Sequence, residues 1–218
     1  MHGMAESDHT ASLIGAAQRD QHIGDRRLAE RKSLVRKELL AARSMLTEGE
    51  RKAAGAAFRT HLLNLPEIGM AGAIAAYLSV GTEPDTAGLV YALWKRGSYV
   101  LLPVLRDDYD LDWASYEGPD SVEPGPHGLL EPVEPLRGVT AIASADLVIV
   151  PAVAVGRDGH RLGRGRGCYD RALARVGQAV PTIALVYDNE LLDEVPSGPH
   201  DQAVKAVAQP TRGITRLG

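Results

Sequence analysis

Between Gly156 and Val176 the chain reads GRDGHRLGRGRGCYDRALARV, and Gly163, Gly165 and Gly167 alternate there just before a helical pattern. No other run constrains the fold as much. Upstream, Ala145 to Val155 (ADLVIVPAVAV) is apolar and β-branched, as a strand buried on both faces should be. A glycine-rich loop lets backbone N–H groups approach an oxyanion without Cβ obstruction, and a following helix turns its positive dipole end to the same point. Strand, loop and helix in that order predict an α/β protein holding an anion at a strand end. The loop lacks the Gly-Lys-Ser/Thr ending of a P-loop, and its spacing is not that of a dinucleotide fold. Its arginines, Arg161, Arg164 and Arg166, would repel one another unless an anion neutralised them. A solvated basic loop is the alternative.

The remaining pattern extends the α/β reading. Leu28, Val35, Leu39 and Leu46 fall on one helical stripe flanked by Lys32 and Arg36, one turn apart. Thr47 followed by Glu50 reads as a capping box opening a second helix through Phe58 and Leu62, with Pro66 beyond its end. A βαβ unit follows: GAIAAYLSV as strand, DTAGLVYALWKRG as helix closed by Gly97, SYVLLPVL as strand. LDWASYEG alternates like an edge strand, and Asp120 to Arg137 reads as a long loop. After the glycine loop come a helix (Tyr169 to Val176), a strand (PTIALVY), a short helix near Asn189 to Val195 and a last strand near Ala203 to Ala208. The expected fold is one three-layer, Rossmann-like domain over residues 28–212, its mostly parallel sheet flanked by helices, with added N-terminal helices. Residues 1–27 are polar and aperiodic and read as a disordered leader, and 213–218 as a frayed tail.

A net charge of −4 gives no general reason to bind nucleic acid, so the arginines of the glycine loop stand out as a local patch suited to a small anion. Cys168 is the sole cysteine, which excludes an internal disulfide, and the seven histidines show no zinc-like spacing. Together with the absence of a signal-peptide core or spanning run, this points to a cytoplasmic protein, expected to be a monomer.

Four segments resemble the 5-formyltetrahydrofolate cyclo-ligase family. RLGRGRGCYDR is similar to the family signature, KSLVRKELLAAR to its basic amino-terminal helix, AAYLSVGTEPDT to its strand ending in a glutamate, and GLLEPVE to its Glu-Pro loop. The resemblance implies ATP- and Mg²⁺-dependent closure of 5-formyltetrahydrofolate to 5,10-methenyltetrahydrofolate, by phosphorylation of the formyl oxygen. It places Lys32, Arg36 and the run Arg161, Leu162, Gly163, Arg164, Gly165, Arg166, Gly167, Cys168 and Tyr169 on ATP. It places Leu78, Glu83, Trp113 and residues 164–168 on the folate, Asp170 and Asp201 on the metal, and catalytic roles on Arg164 and Tyr169. Trp113 as core, Glu83 as a polar residue before a helix, Asp170 as a complement to the helix dipole, Asp201 as a turn residue, and Lys32 and Arg36 as a solvated cationic face are the plainer readings. Two positions depart from the family pattern: Cys168 replaces a tyrosine, and Lys205 stands where an acidic residue often does. A thiol at a helix start beside arginines would be reactive; a buried one would be inert. A nucleotide- or sugar-phosphate-sensing domain and a different small-molecule kinase are the competing classes.

Overall fold

A computed structural model describes the backbone of residues 4–217 and the side chains of residues 23–217. Helix α1 spans Met4–Ser44. The boundary expected at Leu28 is therefore a change in burial and not in backbone: 23–27 are exposed, and Leu28 packs against Gly198. The leader's first residues lie outside the described part. Thr47 and Glu50 form the expected capping box, each bonding the other's backbone N–H, and α2 runs Glu48–Leu63. Pro66 does more than terminate it, because proline at a first helical position suits a new start, and α3 (Pro66–Met70) begins there.

Strand β1 (Ala73–Ala75), helix α4 (Ala87–Lys95) and strand β2 (Tyr99–Leu105) make the predicted βαβ unit. β1 is much shorter than its apolar run. Beyond it Thr86 accepts from Ser79 N–H (2.9 Å) and donates to the Tyr77 carbonyl (2.6 Å), drawing residues 77–86 off the sheet into a looped wall. β3 (Leu111–Ser115) returns antiparallel to β2, but all five of its residues are buried, contrary to the expected alternation. The following segment bonds along its free edge, Arg137 N–H to the Trp113 carbonyl (2.8 Å) and Gly138 N–H to Asp112 (2.7 Å), so the edge is covered. The loop expected over 120–137 contains an antiparallel pair, β4 (Val122–Pro124) and β5 (Leu130–Pro132).

The apolar run 145–155 is not one strand. β6 (Leu147–Pro151) lies in the main sheet, whereas β7 (Ala154–Gly156) belongs to a small sheet with β8 (Arg161–Leu162) and β10 (Leu191–Leu192). The glycine loop thus follows a short hairpin arm, not the buried central strand itself. It leads into α5 (Cys168–Leu173), shorter than expected. The segment predicted as a helix near Asn189 instead pairs Leu191 and Leu192 with β7, because that small sheet needs a third strand more than a short isolated segment gains from helix. β9 (Thr182–Leu185) and β11 (Ala206–Gln209) follow, and the supposed frayed tail forms β12 (Gly213–Arg216), antiparallel to β11.

The main sheet has seven strands in the order β12-β11-β9-β6-β1-β2-β3, parallel through the centre and antiparallel at both edges. Alternate residues of β6 enter opposite cores. Leu147 and Ile149 join Phe58, Leu62 and Leu93 under α2 and α4, while Val148 and Val150 join Trp113, Ile142 and Leu173. Helices therefore cover a two-faced parallel centre, as its apolar composition requires. A smaller cluster seats Leu39 of α1 on Val153, Ala154 and Leu162.

Candidate active site

From β1 the sheet grows to one side through β2, and from β6 to the other through β9 and β11. The chain after each of these two neighbours turns away in opposite directions, which leaves a crevice beyond their carboxyl ends. A cavity of about 550 Å³ opens there, lined by Tyr77, Leu78 and Glu83 after β1, by Pro151 to Val153 after β6, and by residues 161–170.

Helix α1 crosses this crevice with Lys32, Arg36 and Arg43 on one stripe, at helical spacings of four and seven. Lys32 pairs with Asp201, and Arg36 Nε donates to the Gly163 carbonyl (2.7 Å), docking the helix on the glycine loop. Gly165 has φ +102°, a conformation that calls for glycine, and lies against the Arg36 guanidinium, where a Cβ would stand 3.4 Å from Cζ in ordinary contact. The loop arginines do not confront one another. Arg161 is buried, bonds Asp170 through Nη2 (3.0 Å) and lies 5.7 Å from the Tyr169 ring centroid. Arg164 reaches across the cavity to Glu83 (2.9 Å) and the Val80 carbonyl (3.2 Å). Arg166 stacks over Tyr109 at 4.5 Å. The repulsion expected from sequence is relieved by protein partners in three directions, and Leu162 between them is core.

Glu83 is the carboxylate of the β1 side. Its second oxygen accepts from Val80 N–H (2.9 Å), which fixes the acid at the cavity wall. Asp170 and Asp201 line the same cavity. Burial pushes the Asp201 carboxyl up, but Lys32, the Gly198 amide and Arg161 prevail and hold it below the ordinary value. Each carboxylate commits one oxygen, Asp170 Oδ1 to Arg161 and Gln202 N–H, Asp201 Oδ2 to Lys32 and Gly198 N–H. Their second oxygens have no hydrogen-bond partner among the described residues. Two hard oxygen donors beside cations suited to phosphate fit Mg²⁺, which takes one or two carboxylates and completes its shell with water and phosphate.

Tyr169 faces the cavity from the start of α5, and burial, reinforced by Glu83, raises its phenol above the ordinary value; it is a neutral hydrogen-bond donor, not a base. Cys168 is half-buried and burial raises its thiol too, with Arg171 only partly opposing. Of the two readings open for Cys168, this favours the inert thiol: a six-residue helix supplies little dipole to oppose desolvation. Trp113 is fully buried in the core beneath the sheet and does not line the cavity, so its folate role is withdrawn. Lys205 caps the carbonyls of Gln178 and Val180, away from the site.

Among the wall residues that sequence reading missed, two stand out by their backbone. Tyr109 and His127 are the non-glycine residues with positive φ (61° and 59°) among those described, and both line the cavity from loop tips. Such strain of order 1–3 kcal/mol each persists where surrounding structure holds it, commonly at binding sites. It also missed Arg43. Its Nε and Nη2 bond Glu190 (2.6 and 2.8 Å) and Nη2 also bonds the Ala152 carbonyl (2.6 Å), beneath the crevice floor. Among the described residues no helix is long and apolar enough to cross a membrane.

Residues 28–210 match the profile of the 5-formyltetrahydrofolate cyclo-ligase family. The chain is 41% identical over 191 residues to a 5-formyltetrahydrofolate cyclo-ligase of Mycolicibacterium smegmatis, covering 85% of this chain and 97% of that one. It is 30% identical to the Escherichia coli protein of the same description, over 78% and 95% of the two chains. Among solved structures, 5,10-methenyltetrahydrofolate synthetase of Aquifex aeolicus superposes with a TM-score of 0.75 at 28% identity, over 85% and 92% of the two chains.

Proposed function

The chain belongs to the 5-formyltetrahydrofolate cyclo-ligase family, and from that premise we propose that it is an ATP- and Mg²⁺-dependent ligase closing 5-formyltetrahydrofolate to 5,10-methenyltetrahydrofolate. One observation carries the reading: the cationic glycine loop and the carboxylates Glu83, Asp170 and Asp201 converge on a single crevice, with Arg164 spanning from loop to Glu83. A sensing domain would have no use for this conjunction of three carboxylates in one crevice.

The formyl oxygen is amide-like and a poor leaving group. In the proposed reaction it attacks the γ-phosphorus of ATP as the N5 lone pair moves toward the formyl carbon, the bond to ADP breaks, and an N5-iminium phosphate forms. N10 then attacks that carbon, the carbon–oxygen bond breaks, inorganic phosphate departs and N10 loses its proton. Phosphoryl transfer asks for positioning and charge neutralisation more than covalent help. Lys32, Arg36, Arg161 and the loop amides of residues 162–168 supply these around the phosphates. Arg164, which joins the glycine loop to Glu83, is in this reading the group that follows charge from the γ-phosphoryl to the formyl oxygen. Tyr169, neutral, orients that oxygen by donating a hydrogen bond, and Glu83 and Leu78 receive the pterin. Mg²⁺ held by Asp170 and Asp201 would neutralise phosphate charge.

The test is spectroscopic. Protein, ATP, Mg²⁺ and 5-formyltetrahydrofolate should generate the ultraviolet absorbance of the methenyl product, and omission of either ATP or metal should abolish it. ATP consumption at the same rate without folate would instead identify another kinase.

A further inference from the structure

The Tyr77 side chain is 3% exposed and its hydroxyl has no hydrogen-bond partner among the described residues. A buried, unsatisfied hydroxyl costs about 1–3 kcal/mol, so a fold retains one where a partner arrives later or where none is needed. Its surroundings supply the reason. Tyr77 lines the same cavity as Glu83 and Tyr169, one residue before Leu78, on the wall assigned to the pterin. Burial, then Glu83 and Tyr169, raise its phenol well above the ordinary value, with Arg43 opposing, so it stays neutral. The Tyr77 carbonyl is already taken by Thr86, which pins the residue's backbone, while the hydroxyl has no partner among the described residues.

We propose that the Tyr77 hydroxyl is a specificity-determining donor for the folate, bonding the lactam carbonyl of the pterin while Glu83 accepts from its amino and ring N–H groups. The proposal rests on the cyclo-ligase reading above. Its chemistry is that of complementarity. The edge of a 2-amino-4-oxo-pterin alternates donors and an acceptor, and a carboxylate alone meets only the donors. A neutral phenol, permanently protonated at working pH, meets the remaining carbonyl, and in an enclosed site such a donor discriminates strongly against a ligand that leaves it unpaired.

The competing explanation is a buried water joining the hydroxyl to Arg43 Nη1, which also lacks a partner. The two differ in what Tyr77→Phe disturbs. With the hydroxyl reserved for folate, the variant keeps the wild-type melting temperature or exceeds it, its Kd for ATP is unchanged, and its Kd for 5-formyltetrahydrofolate rises about tenfold, or about 1.4 kcal/mol. A 2,4-diamino folate analogue, which offers an amino group in place of the carbonyl, should lose much less on the same substitution. Unchanged folate affinity in the variant overturns the proposal. So does a variant that fails to fold, or one that loses stability and both affinities together, since the hydroxyl would then serve the core. If wild-type protein itself does not bind 5-formyltetrahydrofolate, the functional reading falls as well, which separates that failure from this one.

Discussion

Two buried arginines each face a single carboxylate, Arg43 beneath the crevice floor and Arg161 in its wall, yet they are built for opposite purposes. Around Arg43 every strong acceptor is occupied. Glu190 Oε1 takes Arg43 Nε, Oε2 takes both Nη2 and Tyr187 N–H (2.7 Å), and both side chains are 1% exposed. Each guanidinium leaves one buried nitrogen unpaired, Arg43 Nη1 and Arg161 Nε, so the difference lies in the acids: Asp170 uses one oxygen only and is 23% exposed. The first pair is closed and joins α1 to the turn at 187–190 beneath the sheet ends. The second is half-open toward the cavity and offers a free oxygen to whatever enters. Burial of an ion pair therefore says little about its role; whether the carboxylate keeps an unused oxygen says more.

The largest effect should follow from breaking the closed pair. Glu190→Gln must place an amide NH₂ against the donors of Arg43 or Tyr187, leaving a buried guanidinium poorly compensated. A loss of about 3–5 kcal/mol is expected, equivalent for a chain of this size to roughly 6–20 °C in melting temperature. Calorimetry showing a loss under about 1 kcal/mol would mean that water relieves the pair.

At the open end, effects should appear in binding and not in stability. Glu83→Gln keeps the bond from Val80 N–H but loses the charge, so its Kd for 5-formyltetrahydrofolate should rise at least tenfold, or about 1.4 kcal/mol, while ATP affinity changes little. Separate titrations decide it, and a fall in ATP affinity alone would move Glu83 to the nucleotide.

The smallest effect concerns Cys168. Because burial raises its pKa, the thiol is protonated at neutral pH, and its alkylation should be slow at pH 7 and quicken with each pH unit toward the alkaline range. Rapid, pH-independent labelling near neutrality would restore the activated thiolate.

What was legible in the sequence was local pattern. The stripe carrying Lys32 and Arg36, the capping box at Thr47 and the alternating glycines are short-range signals, and each stands where it was expected. The resemblance gathered Glu83, Asp170, Asp201 and the glycine loop, and the cavity brings all of them together. Long-range consequences were hidden. An unbroken apolar run concealed the change of sheet at Ala152, because periodicity does not report which neighbour a strand finds. Trp113 alternates on paper but is buried among its neighbours, since the chain returning through Arg137 covers its edge. Arg43 closes the basic helical segment but lies 147 residues from Glu190, with nothing in the sequence to pair them, and the unsatisfied hydroxyl of Tyr77 exists only in three dimensions.

The contrast between the two arginines is tested most directly by Asp170→Asn, measured beside Glu190→Gln for both melting temperature and turnover. Asparagine can keep its carbonyl on Arg161 Nη2 and Gln202 N–H while its NH₂ faces the cavity, so the fold should lose only about 1 kcal/mol. The carboxylate offered to Mg²⁺ is gone, and Mg²⁺-dependent formation of the methenyl product should fall about 100-fold or more. Wild-type turnover with an unchanged metal dependence in Asp170→Asn, or a loss of stability as large as that of Glu190→Gln, would show that this pair too is closed and structural.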